Sequence, residues 1–336
     1  MNCKSIVFTE PCVAKLLDEE MKELESGKVR VKIMRTTISP GTERANLIGD
    51  ANISIGKAPE VIFPRRMGYS ASGIVCQVGA GVEGVSVGDR VACSWTTHSQ
   101  YCDLPAKQVY KLDDDVDFDE AAVVHIATFP LAAIRKCKLE IGESAMVMGL
   151  GVLGMVAVQL LHIAGAAPVI AVDPVKERRD EAMKMGADYA LDPFEEGFAD
   201  RVKKITGKGA NVCIEVTGLG SGLDMALDCM AKFGRVALLG CTRNSDFSID
   251  YYRKVHGKGV SLIGAHTHAR PKNDSFEGWW SERDDAFALL KLIKYKRLDL
   301  KSFIAQTHSP DECFEIFTRL AHERSFPVVQ FNWETL

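Results

Sequence analysis

The sequence predicts an α/β chain of two domains, a small, partly closed β-barrel followed by a doubly wound parallel sheet with helices on both faces. Three observations carry this expectation. Glycine-rich turns cut the first third into short strands, and from Ser144 onward apolar strands and helices alternate. The first of those strands then runs directly into Gly149-Leu150-Gly151-Val152-Leu153-Gly154. At 336 residues the chain is also longer than one compact core readily fills.

In the first domain, Lys28 to Met34 alternates charged and apolar residues at period two, the pattern of a half-buried strand. Gly73–Val78 and Asp89–Cys93 read as further strands. The connection between them carries Gly79, Gly81, Gly84 and Gly88, a composition for tight turns with positive φ. Such strands and turns make a small barrel. Asp119 to Lys136, rich in Ala, Val, Ile and Leu, reads as a helix. Strands follow at Ala145–Met148, Pro168–Val172, Val212–Val216, Arg235–Leu239 and Val260–Ile263. Between them lie helices at Leu153–Ala164, Glu177–Met185, Phe198–Thr206 and Gly222–Lys232, the rhythm of a parallel sheet. The tail holds amphipathic helices at Asp284–Lys296 and Pro310–Glu323 and a last strand at Pro327–Phe331. The expected division is 1–120, 121–270 and a return segment, 271–336.

Composition narrows the function. Forty-one basic and 45 acidic residues leave a formal charge of −4, which gives no electrostatic footprint for nucleic acid or an anionic membrane. No apolar run approaches the ~20 residues that span a bilayer. The apolar stretch from Met1 to Phe8 is too short for a secretory signal, so a cytoplasmic location is expected. The ten cysteines are scattered without a CxxC pair and read as small buried hydrophobes rather than disulfides.

The glycine pattern sits in the context its chemistry needs, after a strand and at the start of an apolar helix. Gly149 permits the turn, Gly151 lets backbone approach a pyrophosphate, and Gly154 lets helix and strand pack closely. The backbone N–H groups that open the helix, with Val152 and Leu153, offer donors and a positive dipole end to phosphate. Asp173 ends the next strand about 20 residues further on, where a carboxylate binds ribose hydroxyls and repels a 2′-phosphate. NAD (NADH) is therefore the expected cofactor, with Arg178 and Arg179 nearby as a weak opposing signal.

Ser39-Pro40-Gly41-Thr42-Glu43-Arg44, Met67-Gly68-Tyr69-Ser70, Val85-Ser86-Val87-Gly88-Asp89-Arg90-Val91 and the glycine motif with Asp173 together resemble the medium-chain dehydrogenase/reductase superfamily over nearly the whole chain. The resemblance implies a GroES-like catalytic domain, a Rossmann domain and a C-terminal return. The stretch from Ile38 to Arg44 is similar to a bacteriochlorophyllide dehydrogenase-like, "zinc-type" alcohol dehydrogenase-like branch. Against zinc-dependent members the chain departs at the ligands. Pro40 stands where the family has a ligating Cys, Tyr69 where it has a His, and His125 matches the third position. One imidazole cannot hold a catalytic zinc ion, which needs three protein ligands, so zinc is not expected. The four-cysteine structural zinc lobe is missing too, and Cys93, His98 and Cys102 match no zinc spacing.

Without zinc, a side chain must move the hydroxyl proton during hydride transfer. The resemblance points Tyr69 at the nicotinamide pocket and matches Thr42 to a proton-relaying hydroxyl. His98 and His125 are alternative acceptors, with pKa values natively near neutrality. Glu43 and Arg44 read as an ion pair that shapes the site. A packed Tyr69 and a satisfied core His125 are the plainer alternatives. A second cluster, His266, His268, Arg270, Lys272, Trp279 and Trp280, suits a polyhydroxylated or anionic substrate, with Trp95 and His98 of the first domain expected to face it; the alternative is a surface loop with two half-buried tryptophans. The leading expectation is a zinc-independent, NAD-linked dehydrogenase of a secondary alcohol, polyol or sugar-like small molecule. The rivals are an NADPH-dependent quinone or enoyl reductase and a non-catalytic NAD-binding sensor. An edge strand near Val260–Ile263 suggests a homodimer or homotetramer.

Overall fold

The structure, a computed structural model, describes residues 2–50, 52, 53, 63–323 and 325–336. By internal packing it divides into two units, Met1–Ile126 with Ala286–Leu336, and Ala127–Asp285. The segment from 271 to 285, assigned by sequence to the return, therefore belongs with the second unit. Asp285 is the reason, since its fully buried carboxylate accepts a hydrogen bond from Arg135 at 2.8 Å.

The first unit is built from antiparallel strands. Strands β1 (Asn2–Glu10), β2 (Val13–Glu20) and the short β4 (Arg65–Arg66) form one sheet in the order β2-β1-β4. A second sheet is assembled around β3 (Lys28–Thr37), β5 (Ser70–Val78), β6 (Arg90–Ser94), β7 (Tyr101–Pro105) and β8 (Val109–Lys111). The C-terminal strand Val329–Asn332 pairs antiparallel with β3, and Gln306–His308 extends the sheet by pairing parallel with the C-terminal strand. Val29, Val31 and Ile33 of β3 all point into the core, beside Val75, Val91 and Phe331. Each strand expected here is present, with ends displaced by a few residues.

One helix went unread, as did strands β1, β2, β4, β7 and β8. Pro40–Ile48 is a helix, α1, with Ser39 in the N-cap position and Gly49 closing it in the left-handed region at φ 73°. Proline at the first helical position and glycine just past the last are ordinary helix signals, but they lay inside a segment read for its motif. The helix expected over Asp119–Lys136 is two, α2 (Phe118–Ala121) and α3 (Val124–Lys136), with Asp117 capping the first by accepting from Glu120 N–H at 2.8 Å.

The second unit is a six-stranded parallel sheet among the described residues. Its strands are β9 (Ala145–Met148), β10 (Val169–Val172), β11 (Tyr189–Leu191), β12 (Ala210–Glu215), β13 (Met230–Leu238) and β14 (Ser261–Gly264), in the order β11-β10-β9-β12-β13-β14. Helices α4 (Val152–Ile163), α5 (Lys176–Lys184), α6 (Phe198–Thr206) and α7 (Gly220–Cys229) connect them. Strand β9 is buried at every residue, as a central parallel strand must be. Strand β11 was missed because three residues carry too little pattern. Helix α7 stops at Cys229 rather than Lys232, because β13 already starts at Met230. A register shift opposite Ala210 accommodates the early start, and Phe233 adopts φ 61° beside it. Among the described residues no helix is long and apolar enough to cross a membrane, and the ten cysteines form no disulfide.

Candidate functional site

In the second unit the chain order reverses between β9 and β12, and ligands of open α/β sheets bind outside the strand ends at such a point. The glycine motif lies there. Gly149 leaves β9 with φ 98°, and Gly151 is the N-cap residue of α4. A Cβ on Gly154 would stand 2.0 Å from the Gly149 carbonyl oxygen, so only glycine lets the helix approach the turn. A Cβ on Gly151 would meet nothing within 4 Å, which leaves that backbone open to an incoming group. No side chain caps α4, so Val152 and Leu153 begin a helix whose first N–H groups are free to serve an anion.

Asp173 follows β10 and is buried. Its two carboxylate oxygens accept from Leu150 N–H and Val175 N–H, both at 2.8 Å, and Arg178 approaches to 3.6 Å. The acid therefore ties the glycine turn to the next βα connection, and an ionised carboxylate keeps further acceptor capacity for hydroxyl groups. Across the reversal, Glu215 accepts from Thr217 N–H at 2.8 Å and from the Thr217 hydroxyl. Burial raises the Glu215 carboxyl above its ordinary range. Thr217 also borders Gly149, and no sequence signal marked it. These residues fit a dinucleotide.

In the first unit, Tyr69, Trp95 and His125 come together. The Tyr69 and His125 rings meet edge-on with centroids 5.6 Å apart, and Trp95 lies 4.9 Å from His125 and 6.3 Å from Tyr69. The backbone sets this up. Trp95 N–H donates to the Tyr69 carbonyl and His98 N–H to that of Met67, both at 2.8 Å. Gly68, at φ 108°, sits where a Cβ would be 2.8 Å from His98 N. Trp95 itself holds φ 58°, unusual for a bulky residue and a form of strain that collects at functional sites. Tyr69 donates its hydroxyl hydrogen to Ser39 Oγ. Ser39 was missed, although its place just before Pro40 could have drawn attention to it.

His98 is not a free proton acceptor. It is fully buried, with Nε2 2.8 Å from Glu43 Oε2 and Nδ1 2.7 Å from Thr36 Oγ1. The expected Glu43–Arg44 pair is also absent, because Glu43 turns inward to His98 while Arg44 donates to the carbonyls of Ala321 and Glu323. Thr42 lies half-buried on α1, where its carbonyl accepts from Asn46. Cys93 and Cys102 are buried, and burial pushes the Cys102 thiol up to about 11, away from the thiolate a metal needs. Among the described residues no three His, Cys, Asp or Glu side chains gather as a metal site.

The second expected cluster, all in the second unit, divides. His266 and His268 meet with their rings tilted at 49° and centroids 5.2 Å apart, and burial lowers the His266 pKa. Arg270 instead turns inward, donating to Thr128 and lying 4.0 Å from Asp285, so its guanidinium is part of the packing. Trp280 covers Arg135 at 3.6 Å and Trp279 covers Lys136 at 4.8 Å, and both aromatic faces are engaged.

Comparison with known proteins matches the chain in two consecutive stretches. Residues 25–155 match the family of the alcohol dehydrogenase GroES-like domain, and residues 152–309 match that of zinc-binding dehydrogenases. The chain is 31% identical over 294 residues to L-threonine 3-dehydrogenase of Pyrococcus abyssi, covering 77% of this chain and 82% of the relative. It is 26% identical over 300 residues to D-guloside 3-dehydrogenase of Escherichia coli K12, covering 83% and 85%. Galactitol-1-phosphate dehydrogenase from Escherichia coli has the same fold, with a TM-score of 0.85 at 19% identity over 98% of this chain and 99% of that one.

Proposed function

The chain belongs to the medium-chain dehydrogenase/reductase superfamily, and on that premise we propose that it is an NAD-linked dehydrogenase of a secondary alcohol, polyol or sugar-like substrate that uses Tyr69 in place of a catalytic zinc ion. The observation that carries the reading is the Tyr69 corner, a phenol hydrogen-bonded to Ser39 and flanked by Trp95 and His125. Its two stretches are those in which the resemblance to zinc-dependent members leads one to look for a thiolate and an imidazole. Pro40 has no ligating atom and Tyr69 offers a neutral phenol. With His125 alone remaining, the residues present do not fit a zinc ion. The stretch from Ile38 to Arg44 supports the bacteriochlorophyllide dehydrogenase-like branch as the place of this departure.

NAD supplies or accepts the hydride when bound. The chain's residues do the rest. Gly151 keeps side chains away from the pyrophosphate, Gly149 and Gly154 let turn and helix pack closely, and the N–H groups opening α4 at Val152 and Leu153 donate to it. Asp173 accepts from ribose hydroxyls and repels a 2′-phosphate, which favours NAD over NADP. In the reducing direction Tyr69 gives its proton to the carbonyl oxygen, and in the oxidising direction it takes one from the hydroxyl. Relatives named for a guloside and for threonine support a hydroxyl-bearing substrate. Strand β14 ends the sheet, and pairing of this edge with a second copy would build the homodimer or homotetramer.

The test combines metal analysis of the purified protein with activity on a panel of polyols, sugars and secondary alcohols, using NAD⁺ and NADP⁺. Expected are turnover with NAD⁺, no stoichiometric zinc, and a loss of about 10²–10⁴-fold in kcat for Tyr69→Phe. One tightly held equivalent of zinc, or a wild-type rate in Tyr69→Phe, overturns the metal-free proton chemistry. Clear preference for NADP⁺ points instead to reduction of quinones or enoyl groups. Tight NAD⁺ binding without turnover points to a sensor.

A further inference from the structure

We propose that Ser39 controls the ionisation and orientation of Tyr69, and that the buried Glu43–His98 pair serves to hold Ser39 in place for it; this rests on the reading of Tyr69 as the proton-handling group.

The first argument is what Ser39 does not do. A serine in the N-cap position before a proline ordinarily turns its hydroxyl onto a backbone N–H of the first helical turn. Ser39 has the extended backbone of an N-cap, at φ −99° and ψ 96°, yet its side chain makes no capping bond. The hydroxyl instead accepts the Tyr69 proton donor from 30 residues away. A residue well suited to stabilise α1 is committed to a phenol.

The second argument is what fixes Ser39. Its backbone N–H donates at 2.8 Å to Oε1 of Glu43, four residues on and one place beyond the capping-box position. The other Glu43 oxygen binds His98 Nε2 at 2.8 Å, and His98 Nδ1 meets Thr36 Oγ1 at 2.7 Å. Trp333 Nε1, which can only donate, reaches the same Thr36 oxygen at 3.0 Å. Thr36 thus accepts from the indole, and His98 is held at both ring nitrogens, by Thr36 on one side and Glu43 on the other. Glu43 and His98 are fully buried and both ends of each side chain are engaged, so neither has an atom to offer a substrate. They are positioning residues, and the chain of bonds they form ends on the backbone of Ser39.

The chemistry is balanced without an added reagent. At rest Tyr69 donates to Ser39. When the Tyr69 O–H bond breaks and its proton forms the new O–H bond on the substrate oxygen, the Ser39 hydroxyl turns and donates to the phenolate, keeping its own proton. The bond seen at rest favours the neutral phenol and the bond to the phenolate favours the charged form; the second, made to an ion, is the stronger, so Ser39 makes Tyr69 the stronger acid.

The experiment needs no substrate. Protein labelled with ζ-¹³C-tyrosine is titrated by NMR, and the Tyr69 resonance is assigned by its loss in Tyr69→Phe. Ser39→Ala removes no cap from α1, so the fold should survive, which a thermal melt verifies. Its Tyr69 midpoint should rise by about one pH unit, a tenfold weaker acid, while Ser39→Thr stays near wild type. Glu43→Gln should shift the midpoint the same way, by less. An unchanged midpoint in Ser39→Ala overturns the role of Ser39, and an unchanged one in Glu43→Gln overturns the role of the pair. Either result leaves the Tyr69 reading standing if Tyr69→Phe is inactive. A wild-type rate in Tyr69→Phe sinks that reading, whatever Ser39 does.

Discussion

The two units hold their candidate functional atoms by different means. In the second unit the candidate site is made by backbone: the turn at Gly149–Gly154 is open because side chains are missing, and a Cβ on Gly154 would strike the Gly149 carbonyl at 2.0 Å. In the first unit it is done by side chains reaching across the sequence, Ser39 to Tyr69 and Glu43 to His98. A backbone site is a local property of a few consecutive residues. A side-chain site exists only after the strands and helices that carry its members have packed.

That contrast can be broken by substitution. The largest effect is expected from His98→Ala, which leaves the Glu43 carboxylate buried without its partner. Loss of one member of a buried pair costs about 3–5 kcal/mol, so urea denaturation should show a midpoint far below wild type with an unchanged slope. A midpoint within experimental error of wild type would mean that the network is ornamental. Gly154→Ala is the matching test in the second unit. Forcing a methyl against backbone costs roughly 3 kcal/mol, and NAD⁺ affinity measured by calorimetry should fall about 100-fold if the turn deforms rather than the helix. Wild-type affinity would show that the turn is not the phosphate site.

The same contrast governs what could be read in advance. The parallel sheet, β9, α6 and the glycine turn with Asp173 were legible because periodicity and spacing are local. The resemblance singled out Tyr69 and Pro40, but not what they touch. His98 looked like a proton acceptor because nothing in the sequence reveals that Glu43, 55 residues earlier, folds onto it. Arg270 looked like a substrate ligand for the same reason, since its partners Thr128 and Asp285 lie elsewhere in the chain. Ser39 was named only as part of a motif, because nothing in the sequence reveals that Tyr69, 30 residues on, folds onto its hydroxyl. Helix α1 was overlooked through attention to a motif, not through any weakness of its signals.

The units also differ in how completely they match buried charge, which gives a smaller effect with a definite sign. Lys136 is buried, with the Gly264 carbonyl at 3.3 Å and the face of Trp279 at 4.8 Å. Burial, then the repulsion of Arg270, brings its pKa down to about 8 from 10.5. Folding therefore releases a proton between those two values. Stability should rise as pH climbs from about 8 to about 10.5, because the unfolded chain binds the proton more tightly. Lys136→Met should flatten that rise and add about 1–3 kcal/mol at pH 7, read from urea midpoints across the pH range. A variant less stable than wild type at pH 7 would show that the ammonium is better matched than its surroundings suggest.

The smallest expected effect is the most informative about the dinucleotide. Asp173→Asn keeps the size of the side chain but replaces one acceptor with a donor. Both Asp173 oxygens receive backbone N–H groups, from Leu150 and Val175, so the new amide must face one of them. The turn loses one tie and the ribose loses its charged acceptor, while the repulsion of a 2′-phosphate disappears. Affinity for NAD⁺ should drop by about tenfold and that for NADP⁺ should not. If both fall together, Asp173 matters only as the tie between two loops, and the cofactor preference has to come from another residue, with Arg178 at 3.6 Å the first to test.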